Sequence, residues 1–277
     1  MTENESEAGM SEIYKVPMLN KLIEGISAEE YHSLDGLSST RFDLMRRSMK
    51  AFELRHRFQK QKAAFDEGQL IHDAILLPHL VSGRYIESPT VGLDTKAANA
   101  LREEYPSKVV VGQGMIKDAL FIAESVQLIY GQLLDRGIKE ASLLVQDSDT
   151  GLLFKCRPDI YSEEYGLLVD VKSSSAKSPA EFLKVIEAYD YDMQIAWYTD
   201  LLLRCGYPVE QAGWLVAPKD PTDAPFGFVC SQELLEKGRS KYQTLVAKWI
   251  EYKTTQIDEL FKPAYSWEFR KEMGVAS

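Results

Sequence analysis

Two strand-forming runs, Leu152 to Ile160 and Gly166 to Lys172, constrain this 277-residue chain more than any other stretch. The segment between them, Tyr161-Ser162-Glu163-Glu164-Tyr165, has the length of a hairpin connection, so the runs are expected to pair antiparallel. Side chains alternate across a strand, which puts Leu152, Phe154 and Cys156 on one face and Leu167, Val169 and Val171 on the matching face of the second run. Those are the expected core faces. The alternate positions carry Lys155, Arg157 and Asp159, then Asp170 and Lys172, groups that are costly to bury unless they are used.

That polar face has a definite chemistry. Asp170 and Lys172 are two residues apart and stand on one face about 7 Å from each other at the rise of a strand. Asp159, at the end of the neighbouring run, converges with Asp170 to form a small oxygen-rich site of the kind Mg²⁺ accepts together with waters and a substrate phosphate. Hydrolysis of a phosphodiester needs an activated water and a positive centre for the charge that develops on phosphate, and a metal ion with a lysine supplies both. An exposed Asp-Lys pair alone would be worth only about 0.5 kcal/mol and would signify nothing. Here Pro158-Asp159 is followed after ten residues by Asp170-Val171-Lys172, with apolar strand residues around it and Ser173-Ser174-Ser175 and a helix after it. This order of residues makes the polar face a candidate site.

Upstream, Arg41 to Lys62 is the clearest basic segment, with eight cationic residues against Asp43 and Glu53, a local charge of +6. Phe42, Met45, Met49, Phe52 and Phe58 recur at helical spacing, so the segment reads as an amphipathic helix capped by Ser38 or Ser39. Its outer face, with Arg41, Arg46, Arg47, Lys50 and Arg55, is either a solvated surface or a phosphate-contacting one. A second helix is expected over about Phe65 to Leu77, ended by Pro78, with Gly68 and His72 one turn apart. Gly83 to Gly114 reads as a loop-rich connection around a helix near Thr95 to Glu104, and Met115 to Arg136 as a long amphipathic helix. Strands begin near Ala141, which leaves Glu140 as a charged strand start or an accessory carboxylate. The last forty or so residues, with Trp249, Trp267 and Phe269, carry no usable motif.

Composition narrows the class. The hydrophobic fraction is 45% and the charged fraction 27%, ordinary for a globular domain, and no apolar run approaches the ~20 residues of a membrane span. Residues 1–26 read as a leader without signal-peptide character, which points to the cytoplasm, and 27–277 as one domain. Cys156, Cys205 and Cys230 are too dispersed for a disulfide framework or for an iron–sulfur nuclease's cysteine cluster. A net charge of −10 argues against general coating of nucleic acid but is compatible with one basic channel in an acidic exterior.

Arg157-Pro158-Asp159 with Asp170-Val171-Lys172-Ser173-Ser174 resembles the PD-(D/E)XK nucleases, in particular the exodeoxyribonuclease VIII (RecE) branch. Tyr31-His32, Leu37-Ser38-Ser39-Thr40 and Gly68 to Leu77 are similar to that branch's N-terminal helices and GxxxH element. Tyr191 to Tyr198 resembles its QxxxY helix, and the likeness spans roughly residues 27 to 230. Met49 departs from it, since relatives commonly have proline there. The resemblance implies an α/β, restriction-endonuclease-like core with a central mixed sheet flanked by helices and a helical N-terminal part. It implies that His72 and the Val171 carbonyl join Asp159 and Asp170 at Mg²⁺, with Mn²⁺ substituting, and that Gln194 and Tyr198 act beside Lys172. Arg157 and Ser173 join the DNA-contacting set. The implied activity is 5′→3′ digestion of linear double-stranded DNA ends, leaving 3′ tails for a RecT-like annealing protein, by a homo-oligomeric ring, a tetramer being favoured. Two rivals stand beside it: an endonuclease on the same fold, and a non-catalytic DNA-binding recombination partner.

Overall fold

A computed structural model of the chain describes residues 19–55 and 67–255. In chain order the strands are β1 (Leu22–Ile23), β2 (Tyr85–Glu87), β3 (Val109–Val111), β4 (Ile138–Lys139), β5 (Ser142–Gln146), β6 (Leu153–Cys156), β7 (Ile160–Ser162), β8 (Leu167–Ser174), β9 (Gln211–Pro218) and β10 (Phe226–Val229). The α-helices are α1 (Ala28–Ser33), α2 (Phe42–Arg47), α3 (Met49–Glu53), α4 (Glu67–Leu76), α5 (Val81–Arg84), α6 (Lys96–Glu104), α7 (Met115–Arg136), α8 (Pro179–Tyr189), α9 (Tyr191–Arg204) and α10 (Gln232–Thr255).

The central sheet is five-stranded and mixed, in the order β10-β9-β8-β7-β4, with β8 and β9 parallel and the other pairs antiparallel. Its middle strand, β8, is buried on both sides. Val169 and Val171 pack with Ile71, Ala74 and Ile75 of α4 and with Ile122 and Val126 of α7. Leu168, on the opposite face, packs with Phe182, Trp197, Trp214 and Tyr242. Helices therefore cover both faces, as a strand flanked by a parallel crossover requires. The mixed sheet and its helical cover are the α/β architecture expected from the sequence.

Several expectations need correction. The first strand-forming run does not continue from Leu152 to Ile160. It breaks at Arg157-Pro158-Asp159, where proline has no N–H for a ladder, and β6 pairs with β5 in a separate three-stranded sheet while β7 pairs with β8. Tyr161 and Ser162 belong to β7, and the turn is tightened to Glu163–Gly166, with Gly166 at φ +55°. The basic segment is two short helices rather than one, because Ser48 adopts extended geometry and its side chain caps α3 through the Ala51 N–H. Positions 56–66, with Arg57, Phe58, Lys60 and Lys62, lie outside the described residues. Leu22 and Ile23, expected in a leader, form β1 against β5, and residues 1–18 lie outside the described part.

Lys155, expected on the polar face, is 1% exposed. Its ammonium donates to the carbonyls of Tyr31 (2.6 Å) and Leu34 (2.7 Å) and lies over the Tyr31 ring, clamping the C-terminal end of α1 onto β6. Near the C-terminus, α10 packs Tyr242, Leu245, Trp249 and Tyr252 into the main core; Trp267 and Phe269 lie outside the described residues. No helix among the described residues is long and apolar enough to cross a membrane.

Candidate active site

Three adjacent strands bring carboxylates to one end of the sheet. Ile160 pairs with Lys139 on one side and with Val169 on the other, so Glu140 just after β4, Asp159 just before β7 and Asp170 within β8 come near the same level. The Glu140 N–H donates to the Asp159 carbonyl at 3.1 Å. Glu140 itself sits at φ 55°, a left-handed conformation that an L-residue with a long side chain adopts against a cost of order 1 kcal/mol or more. Asp159, just before β7, turns its carboxylate toward β8, and its Oδ2 accepts the Val171 N–H at 2.6 Å. The side chain thus takes a ladder position that the backbone leaves vacant.

His72 arrives from α4. The rotation of that helix is set by Asp73, whose buried carboxylate accepts from Gln69 (2.8 Å), Arg84 (2.7 Å) and the Tyr85 hydroxyl (3.0 Å). Burial opposes the Asp73 charge, but the hydrogen bonds from His72, Arg84 and Gln69 outweigh it and bring its pKa down to about 2. His72 Nε2 then lies 3.1 Å from Asp159 Oδ1 and 3.6 Å from Glu140 Oε1. One donor atom from each of these three residues falls within 4.8 Å of the others.

The charges explain how such a cluster holds together. Burial disfavours the imidazolium of His72, yet the Asp159 and Glu140 carboxylates overcome that and raise its pKa well above the ordinary value. Glu140 goes up, first through burial and then through the neighbouring Asp159 charge, with His72 and then Arg157 opposing. Asp170 is 1% exposed, and burial, with Asp159 adding to it, raises its carboxyl to about 6 despite Lys172. Carboxylates held this close repel one another. A divalent cation would relieve that repulsion, and one imidazole nitrogen with carboxylate oxygens is a donor set that such ions accept.

Lys172 stands on the other side of Asp170, its Nζ 2.5 Å from Asp170 Oδ2 and 4.7 Å from the centroid of the Tyr191 ring. Burial lowers its pKa, but Asp170 and Asp159 more than compensate, so the ammonium stays charged. It is suited to stabilising negative charge rather than to accepting a proton. Gln194 and Tyr198 lie one turn apart on α9, and the Gln194 amide donates to the Tyr198 hydroxyl at 3.1 Å. Burial and the Asp170 charge hold the phenol far above its usual pKa, so it remains protonated. Two cavities, of about 450 and 530 Å³, meet at Lys172; Gln194 lines the first, and Ser173 and His72 line the second.

The structure brings His72, Asp159, Asp170, Lys172 and the Val171 backbone together, with Gln194 and Tyr198 behind them. Glu140, read from sequence as a charged strand start or an accessory carboxylate, completes the His72–Asp159 cluster. The basic residues are distributed differently. Arg41 and Arg55 are both committed to Asp35 (3.0 and 2.7 Å), Arg46 to Asp190 (2.8 Å), and Arg47 to Asp43 one turn away. Arg157 donates to Glu140, to the Ile26 carbonyl (2.8 Å) and to Ser142 (2.9 Å), holding the metal-type cluster from behind. Arg46 and the exposed Lys50 remain close to the surface, and Arg46 also lines the first cavity.

A PD-proline break, the paired Asp170-x-Lys172 on a central strand and a mixed sheet between helical layers define the PD-(D/E)XK nuclease class. The chain belongs to that class's PDDEXK-like domain of unknown function (DUF3799), whose model matches residues 38–262. Among solved structures it is similar to one from Eubacterium rectale described as a "Putative exonuclease", with 12% identity, a TM-score of 0.58, and coverage of 89% of this chain and 93% of that one. A phage-related exonuclease from Haemophilus somnus matches with 14% identity and a TM-score of 0.33, over 59% of this chain and 85% of that one. No curated protein matches.

Proposed function

We propose that the protein is a divalent-metal-dependent exonuclease that digests linear double-stranded DNA from its ends. The observation that carries this reading is the convergence of His72, Glu140 and Asp159 within 4.8 Å, beside a charged Lys172 at the meeting of two cavities. His72, Glu140 and Asp159 would hold the ion, with Asp170 and the Val171 main chain beside them; Mg²⁺ is the expected ion and Mn²⁺ its substitute. When bound, such an ion supplies an activated water and Lewis acidity at the phosphate. Lys172 contributes a fixed positive charge where negative charge develops on the phosphoryl oxygens. Tyr198, kept protonated by burial, and Gln194 orient polar groups on the same wall. Arg46 lines the first cavity and Ser173 the second, and with the exposed Lys50 they are assigned to the DNA backbone, while Arg41, Arg55 and Arg157 are assigned positioning roles.

The 5′→3′ direction, the 3′-tailed product, its transfer to a RecT-like annealing partner in the cytoplasm and a homo-oligomeric ring, tetrameric by preference, follow from the RecE-like motifs. The test is linear duplex DNA labelled at its 5′ or its 3′ end, incubated beside a covalently closed circle with Mg²⁺ and with chelator. Early release of 5′ label from the linear substrate, with the circle intact, is expected. Cutting of the circle would transfer the assignment to an endonuclease.

A further inference from the structure

We propose that Tyr189 is a base-stacking residue whose exposed ring receives a nucleobase of the bound DNA strand close to the scissile phosphate. This rests on the nuclease reading above and specifies how that site grips its substrate.

Tyr189 ends α8 and Tyr191 begins α9, and the single residue between them, Asp190, sits at φ 54° in the left-handed region. That abrupt corner lays the two rings alongside one another, with centroids 5.8 Å apart and planes inclined by 23°. Lys172 Nζ lies over the Tyr191 ring at 4.7 Å. A ladder results, from catalytic ammonium to half-buried ring to outer ring, and Tyr189 at its end is 69% exposed. Its ring centre is no more than about three base steps from Lys172, at roughly 3.4 Å per step.

The corner is braced as a binding element would need to be. The Asp190 carboxylate is held by Lys241 (2.9 Å) and Arg46 (2.8 Å), and Lys241 also grips buried Asp192 at 2.7 Å. An exposed ring on a fixed backbone loses little freedom when it stacks, which favours affinity. Tyr189, Tyr191 and Lys172 are shared by both cavities, so a strand running from one into the other must cross the aromatic pair. On one side of the crossing are Ser39 and Thr40, and on the other Ser173, Ser175 and Lys219, groups that suit a sugar-phosphate backbone. Every base has a π-face, so stacking holds any sequence, which suits an enzyme that must digest whatever DNA it is given.

The test uses the full chain and DNA ends carrying 2-aminopurine at one of the first three nucleotides. In chelator, wild-type protein is expected to quench the probe at one position, and Tyr189→Ala to abolish that quenching while Tyr189→Phe retains it. With metal, Tyr189→Ala raises KM by roughly 5- to 150-fold, the usual worth of one base-aromatic stack, and changes kcat less. An abasic site at the quenched position costs wild type a similar factor and Tyr189→Ala nothing more. Unaltered thermal unfolding of the variants confirms an intact fold. Wild-type KM and undiminished quenching in Tyr189→Ala would overturn the proposal while leaving the nuclease reading in place. If wild type cuts no DNA with any metal, the nuclease reading falls, and the fluorescence arm alone then decides whether Tyr189 stacks on DNA.

Discussion

Replacing Arg157 by methionine separates a positioning role from a DNA-contacting one. The guanidinium side chain is 11% exposed, and it donates to Glu140 and to Ile26 and Ser142 at 2.8 and 2.9 Å. Without it, the Glu140 carboxylate, 15% exposed, is left beside Asp159 with no opposing arginine. Removing one member of a buried pair costs about 3–5 kcal/mol. Glu140 can still take up a proton, so the lower end of that range is expected, already a large part of a stability of about 5–15 kcal/mol. Glu140→Gln in the Arg157→Met background should recover part of the loss, because it removes one of the two neighbouring carboxylate charges that repel each other. Losing an orienting partner behind a metal ligand also weakens metal binding by about 10- to 100-fold. Urea unfolding of the metal-free variants, with Mn²⁺ titration by calorimetry, measures both effects. Wild-type stability and metal affinity combined with weakened DNA binding would refute the reasoning and make Arg157 a phosphate contact.

Buried Lys155 makes a second prediction. Burial, and then the nearby charge of Arg41, lower its pKa to about 7 from the ordinary 10.5. Between those values the unfolded chain binds a proton that the folded chain does not, so this group makes stability rise with pH, by at most about 1.4 kcal/mol per unit, and flattens above the unfolded pKa. Chemical denaturation between pH 7 and 10 should show that rise in wild type and its absence in Lys155→Met; identical profiles would sink the assignment. A third concerns Gly238 of α10, where an added Cβ would come 2.0 Å from the Asp192 carbonyl oxygen of α9. Backbone cannot yield as a side-chain tip does, so Gly238→Ala should destabilise by about 1–3 kcal/mol or more, read from its unfolding midpoint.

The strand that carries Asp170 and Lys172 was legible because its signal is local. Asp170 and Lys172 share a face by strand period alone, and the apolar positions around them fix which strand is central. The ends of Met115–Arg136 are legible for the same reason, since amphipathic period and flanking glycines are short-range, whereas its kink at Tyr130 (φ −119°, ψ 18°) is not. The break at Pro158 was written in the sequence as a missing donor, but its consequence, a strand divided between two sheets, depends on which partners compete for each half. Glu140 is non-local: its place follows from the β4–β7 register and a left-handed backbone that no neighbouring residue announces. Asp35, six and twenty positions from the arginines it neutralises, turns two of the expected DNA contacts inward. Lys155 shares the alternation of a polar face, yet α1 folds over it and the carbonyls of Tyr31 and Leu34 accept from its Nζ.

The most direct measurement compares cleavage of linear duplex DNA by wild type and by Lys172→Ala, each with Mg²⁺, with Mn²⁺ and with chelator. Wild type should degrade the DNA only when metal is present, and Lys172→Ala should be nearly inactive, although still able to bind metal through His72, Glu140 and Asp159. Degradation that persists in chelator, or that Lys172→Ala carries out at the wild-type rate, would contradict a metal-and-lysine nuclease site.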